Sequence, residues 1–356
     1  LVPGAVQAGS VLAVLDSSAT MDFPARLIFN ISAGSDTNIT DIRLHYRVEH
    51  MEHAKVTSEV YIDFAPAATV KTRYILDMRK TGGLPPGSSL SYWWTVTDAS
   101  SNKVATTPAV MNIEDDRYNW RKITRNSVTL FWYQGNDSFA DELMAATQQV
   151  LERLEENTGA ALESSVSLYI YASGNDLRGS MIFPQEWTGG VSFSRYGIIA
   201  IGIMPTLADI EWGERAIAHE LTHLVINQVT FNPYNQLPTW LDEGLAMVAE
   251  GELESEFNKV LSRAEADKAF ISVRSLASPF SAYAEQSVLA YAESYKIVAY
   301  LISEYGREKM FELLSTFRKG SGYDEALVKV YGFDMDGLNV KWQASLEELA
   351  TIFVWR

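Results

Sequence analysis

The chain has 356 residues, of which 47% are hydrophobic and 21% charged, the proportions of a folded globular protein long enough for two domains. It has no cysteine, which excludes disulfides and thiolate metal sites and leaves His, Asp, Glu or backbone oxygen as the available metal ligands. A formal net charge of −16 argues against nucleic acid and anionic membrane surfaces as partners, and no run reaches the roughly 18 apolar residues of a membrane helix.

The first residues, "LVPGAVQA", place small side chains at Val6 and Ala8, as in the tail of an export signal; they read equally well as an ordinary N-terminal arm over residues 1–19. Together with the acidic surface, the export reading sets an extracellular or cell-envelope location as the expectation. Residues 20–117 follow as a β domain. "RLIFNISA", "DIRLHYRVE", "VKTRYILDM" and "LSYWWTVTDA" alternate apolar and polar residues, and the clusters "GSDTN", "TGGLPPGSS" and "DASSNK" are the expected turns between strands. Short strands at this spacing predict a β-sandwich of immunoglobulin or fibronectin type, without the cysteine pair of antibody domains. His45 falls in a strand. His50 and His53, in "EHMEH", are read as a solvated loop rather than a metal pair. The N-x-S/T triplets at Asn30, Asn38 and Asn136 matter only in a eukaryotic secretory pathway.

"IEDDRYNWRKI" is a charged junction, and residues 118–356 change pattern. "SVTLFWYQG" is a strand. "DSFADELMAATQQVLERLEENTG" is a helix with Asp137 or Ser138 as its cap and Gly159 as its stop. "VSLYIYAS" is a further strand, and "GGVSFSRYGIIAIGIM" is a strand pair turning near Tyr196 and Gly197. The chain from Gly213 onward is mostly helical, which makes an α+β domain.

The chemistry concentrates in "AIAHELTHLVI". His219 and His223 stand four residues apart, so on a helix of 3.6 residues per turn they project from one face. Two imidazoles so placed can hold one zinc ion, and Glu220, about 100° further round, reaches a water there as a general base. The neighbours Ala216, Ile217, Leu221, Leu224, Val225 and Ile226 are apolar, so the helix is expected to be buried; buried His and Glu require a reason. A catalytic zinc takes three protein ligands. With no histidine downstream of His53 other than the pair, the third comes from "LPTWLDEGLAMVAEG", where Asp242, Glu243, Glu250 and Glu252 are the candidates. Glu243, 20 residues after His223, leaves room for a loop and a returning helix and is the preferred ligand; Asp242 is the runner-up.

"HELTH" followed by "WLDEGLA" resembles the gluzincin, thermolysin-like zinc metallopeptidases, closest to the peptidase MA-like group. "YAESYKIVAYLISEYGREKMFELL" and "GYDEALVKVYGFDMDGLNVKW" are similar to the helical tail of that group. The resemblance covers roughly residues 120–345. It implies a zincin-type catalytic domain in which His219, His223 and Glu243 bind zinc and Glu220 activates the water. It also implies that "GGVSFSRYGIIAIG" borders the cleft and pairs with an extended peptide or protein substrate. Thermolysin-type enzymes often carry an aspartate four residues after the glutamate ligand; Met247 stands there, and Glu250 is the candidate substitute for supporting a ligand. An oxyanion donor is also needed, and with histidine exhausted the resemblance points to Tyr291, with Tyr295 and Tyr283 as alternatives. The functional expectation is a zinc-dependent peptidase. The competing one is a non-catalytic envelope binding or adhesion protein with a structural zinc, which would gain nothing from Glu220. The β domain is expected to be a spacer or substrate-docking module joined through "YNWRKI", Tyr118 to Ile123.

Overall fold

The structure, a computed structural model, describes residues 12–49, 55–185, 188–281 and 283–354. His50, His53, Val6 and Ala8 lie outside them. The chain divides into two compact units: an N-terminal one up to Asn119 that also takes in Asn175–Thr188, and a C-terminal one of Trp120–Gly174 and Gly189–Arg356.

The N-terminal unit is an antiparallel β region built on one long strand. Its strands are β1 (Ala13–Asp22), β2 (Arg26–Val48), β3 (Ser58–Tyr61), β4 (Ala67–Asp77), β5 (Ser89–Asp98), β6 (Lys103–Ala105) and β7 (Ala109–Asn112). β2 pairs with β1 and β4 along its first half, then with β5 and β3 along its second. The cluster "GSDTN" was expected to turn the chain; instead it lies inside β2, where the register against β4 shifts between Gly34 and Ile39. Polar residues are tolerated there because they are satisfied locally: Ser35 Oγ donates to Asp98 at 2.8 Å. A further shift after Ile39 changes which residues face inward, from Leu27, Phe29, Ile31 and Ala33 to Ile42 and Leu44, all buried. His45 is a strand residue on the opposite face, stacked on Trp93 with Nε2 3.0 Å from Thr95 Oγ1.

Asn175–Thr188 falls within residues 118–356, read from the sequence as one domain. It packs with the N-terminal unit because small residues admit close contacts there: a Cβ on Gly179 would stand 2.8 Å from the Arg117 guanidinium, and one on Gly83 would stand 3.0 Å from Ile182.

The C-terminal unit has a five-stranded sheet of order β11-β12-β10-β9-β8, from β8 (Arg121–Arg125), β9 (Val128–Trp132), β10 (Val166–Tyr171), β11 (Gly190–Phe193) and β12 (Ile198–Gly202). β9, β10 and β12 are parallel; β8 and β11 run antiparallel at the edges. Gly197, in the left-handed region at φ 67°, closes the tight connection from β11 to β12. The described helices are α1 (Asp137–Thr158), α2 (Gly174–Arg178), which after Gly174 belongs to the N-terminal unit, and, in the C-terminal unit with α1, α3 (Leu207–Thr230), α4 (Thr239–Glu250), α5 (Ser255–Asp267), α6 (Val273–Leu276), α7 (Ala284–Arg318), α8 (Tyr323–Tyr331) and α9 (Met335–Val354). None of the described helices is long and apolar enough to cross a membrane. α1 is capped by Asn136, whose side chain accepts from the Phe139 N–H at 2.9 Å, rather than by Asp137 or Ser138; Gly159 ends it as expected. Leu130, Leu168, Ile199 and Ile201 from the sheet share one buried core with Leu143 of α1 and Ile217 and Leu221 of α3. α3, carrying "HELTH", thus lies against the sheet beside its edge strand. α4 meets α7 at Gly244, where a Cβ would fall 2.5 Å from the Ser294 carbonyl oxygen. That contact explains the glycine after Glu243.

Candidate metal centre

The helical spacing of α3 does what the sequence requires of it: the Nε2 atoms of His219 and His223 stand 3.1 Å apart. The return of the chain through Pro238 into α4 brings Glu243 opposite them, its Oε2 3.5 Å from His219 Nε2 and 3.6 Å from His223 Nε2. His219, His223 and Glu243 are the one group of His, Asp and Glu among the described residues whose ligand atoms converge closely enough to hold a metal ion.

The orientation of each ring is fixed from behind. His219 Nδ1 lies 2.8 Å from Glu250 Oε1, and His223 Nδ1 lies 3.2 Å from Asp242 Oδ1. An ionised carboxylate only accepts, so Nδ1 carries a hydrogen on both rings, and whenever a ring is neutral its Nε2 is left with the lone pair that a metal would take. Two such lone pairs facing each other repel, and Glu243 Oε2 beside them is buried with no hydrogen-bond partner. An arrangement of this kind is unfavourable unless a cation occupies the shared point. Two nitrogens and one carboxylate oxygen form the ligand set of a catalytic zinc site.

Electrostatics agree. Burial opposes a charged imidazole at His219, but the contacts with Glu243 and Glu250 outweigh it and raise the group to about 9. His223 is raised too, against burial, by Asp242 and Glu243. Burial would push Glu243 up, yet the two imidazoles hold it down at about 2. The cluster therefore favours positive charge at its centre.

Glu220 points toward the edge strand β11. A Cβ on Gly190 would stand 3.1 Å from its Cγ and Oε1, so glycine is what lets the strand approach this closely. The Ser192 N–H donates to the Glu220 carboxylate, while burial raises its pKa against the pull of the two histidines. The Gly202 N–H donates to the Gly189 carbonyl. By alternation along the antiparallel pair, the backbone groups of Gly190 and Ser192 face the open side of β11.

Of the three tyrosines considered, Tyr291 is raised first by burial and then by the charges of Glu243 and Glu220, so its hydroxyl keeps its proton and lies within electrostatic reach of both. Tyr295 is raised by burial and then by Glu252, against Arg215, with no contribution from the centre's carboxylates, and Tyr283 is exposed. Asp242, weighed in the sequence as a rival ligand, supports His223; Glu252 makes no contact with the cluster beyond its carbonyl oxygen's bond to Arg215, at 3.4 Å. Met247 is buried and polar support comes from Glu250, seven residues after Glu243 and so on the same helical face. Three participants were missed from sequence: Ser192 and Gly190 on the edge strand, and Arg215, one turn before His219, which pairs with Glu250 Oε2 at 3.1 Å. The i, i+4 spacing of Arg215 and His219 was the available signal.

A family model described as the Peptidase MA superfamily matches residues 145–348. No curated protein matches significantly. Among solved structures, an M1 zinc metallopeptidase from Deinococcus radiodurans is 14% identical over 93% of this chain and 94% of its own, with a TM-score of 0.40. An aminopeptidase N family protein from Idiomarina loihiensis is 12% identical over 92% of this chain and 75% of its own, at 0.43. Catalytically inactive OgpA from Akkermansia muciniphila, in complex with an O-glycopeptide substrate, is 9% identical over 30% of this chain and 29% of its own, at 0.23. The chain thus spans less than a third of the length of OgpA.

Proposed function

This chain belongs to the peptidase MA superfamily, and from that premise we propose that it is a zinc-dependent metallopeptidase that hydrolyses peptide bonds. The observation that carries the reading is the convergence of His219 Nε2, His223 Nε2 and the unpartnered Glu243 Oε2, with Glu220 beside them and used for no ligand role. Bound zinc supplies Lewis acidity, polarising a carbonyl and lowering the pKa of water.

The protein's own groups do the rest. Glu220, raised by burial, takes a proton from the attacking water and hands it to the leaving amine. The Ser192 N–H holds that carboxylate in place. The Gly190 backbone groups and the Ser192 carbonyl on the open side of β11 accept an extended peptide as an added strand, which sets the scissile bond beside Glu220. The protonated Tyr291 hydroxyl donates to the developing oxyanion. The N-terminal unit, read as an immunoglobulin- or fibronectin-like sandwich, acts as a spacer or docking module in an exported protein.

Glu220→Gln should keep about one zinc per chain by elemental analysis while peptide hydrolysis falls by about 10²–10⁴-fold. Undiminished hydrolysis in that variant would end the general-base assignment. A wild-type protein that takes up zinc but hydrolyses no peptide would leave the non-catalytic binding protein, with its structural zinc, as the better account.

A further inference from the structure

The two histidines of the centre are supported unequally. Behind His223 stands Asp242 alone, with a side chain 41% exposed. Behind His219 stands a relay: Nδ1 meets Glu250 Oε1 at 2.8 Å, and Glu250 Oε2 meets the Arg215 guanidinium at 3.1 Å. Arg215 Nε also lies 3.3 Å from Glu254, and its Nη1 donates to the Glu252 carbonyl at 3.4 Å. Three anchors, one at the last residue of α4 and two just beyond it, thus grip one planar cation, which rises from α3 one turn before His219. Met247 shows that the usual place for a supporting carboxylate, one turn after Glu243, is apolar and buried here. Glu250 is the last residue of α4, where a helix frays and a side chain is ordinarily mobile.

We propose that Arg215 is a positioning residue of the metal centre: by clamping Glu250 it fixes the ring of His219 so that Nε2 faces Glu243 and His223. The inference rests on the reading of this cluster as a zinc site. A carboxylate at a helix end can hold an imidazole only if something holds the carboxylate, and a guanidinium does so with direction as well as charge. Lysine offers one compact ammonium and cannot grip Glu250, Glu254 and the Glu252 carbonyl together.

The test is zinc affinity, measured by competition with a chromophoric chelator on the full chain, with the visible spectrum of the cobalt-loaded protein as a second readout. Arg215→Met is expected to weaken zinc binding about 10–100-fold, the range found when an outer partner of a ligating histidine is removed. It is also expected to shift the cobalt absorption bands, which report ligand geometry. Arg215→Lys should fall between the variant and wild type, and it serves if Arg215→Met does not fold. Zinc affinity within twofold of wild type together with an unchanged cobalt spectrum, in either variant, overturns the proposal while leaving the zinc site intact. A wild-type chain that binds no zinc overturns both this inference and the reading beneath it.

Discussion

The buried carboxylates of the two units are treated in opposite ways. In the N-terminal unit, Asp98 is buried yet accepts from Ser35 Oγ, the Ser100 and Asn102 N–H groups and Asn102 Nδ2. Those donors, Asn102 first, hold it well below the usual carboxylate range. In the C-terminal unit, Glu243 Oε2 and Glu293 Oε2 are buried and accept no hydrogen bond. A satisfied buried charge braces a turn; an unsatisfied one is costly unless a ligand or a proton arrives to complete it. The difference separates a carboxylate that the fold itself completes from two that it leaves for a proton or a ligand.

The contrast is most severely tested at Glu243. Glu243→Gln should cost at least about 100-fold in zinc affinity, because a ligand is lost outright rather than its support. Without metal the variant loses only the pairing of Glu243 with the two imidazoles, so the gap in melting temperature between wild type and variant should widen when zinc is added. A gap that zinc leaves unchanged would mean that Glu243 is a structural carboxylate after all.

Glu293 gives a pH-dependent effect on the order of a few kcal/mol. Burial pushes its carboxyl up to about 8, offset in part by the Ile271 N–H. The unfolded chain loses this proton near 4.5, the folded chain near 8, so the folded state holds the extra proton between them. Stability must therefore fall as pH rises through that window and level off above it. Glu293→Gln should remove the decline and melt higher than wild type at pH 8, a difference that urea titrations at pH 5 and 8 would resolve. Parallel pH profiles for the two proteins would refute the assignment.

Asp98 should behave with the opposite sign and the smallest amplitude. Its folded pKa is depressed, so its contribution is present above the ordinary aspartate value of about 3.9 and is lost as pH falls below it. Asp98→Asn should lower the melting temperature at neutral pH, and the gap should close as the solution is acidified. A gap that persists at low pH would place the effect in packing rather than charge.

The centre was legible in sequence because helical periodicity alone puts His219 and His223 on one face, and because histidine is so scarce that the pair stands out. Glu243 and Asp242 were harder to separate. They are neighbours at the start of one helix, and only the direction of each side chain decides that one meets both Nε2 atoms and the other an Nδ1. Arg215 had only its i, i+4 spacing from His219 to mark it, and for a physical reason that signal is weak: an arginine on a half-buried helix is ordinarily a solvated charge, and its partners lie 35 or more residues away. The misread "GSDTN" cluster and the cap at Asn136 share a cause. Polar residues that favour turns and caps bond locally wherever they stand, so their presence marks a local irregularity without saying which kind. The excursion of Asn175–Thr188 left no trace in composition, since only contacts distant in sequence decide it.

The continuity of β2 has a consequence for how the N-terminal unit comes apart. One uninterrupted backbone serves β1 and β4 at one end and β3 and β5 at the other, and the second pairing joins Ile39 to Asp98. Neither row owns its central strand, so neither can melt while leaving the other whole. A turn at "GSDTN" would have split that strand in two; uninterrupted, it ties both rows together, with β5 reaching its half of β2 across a long stretch of chain.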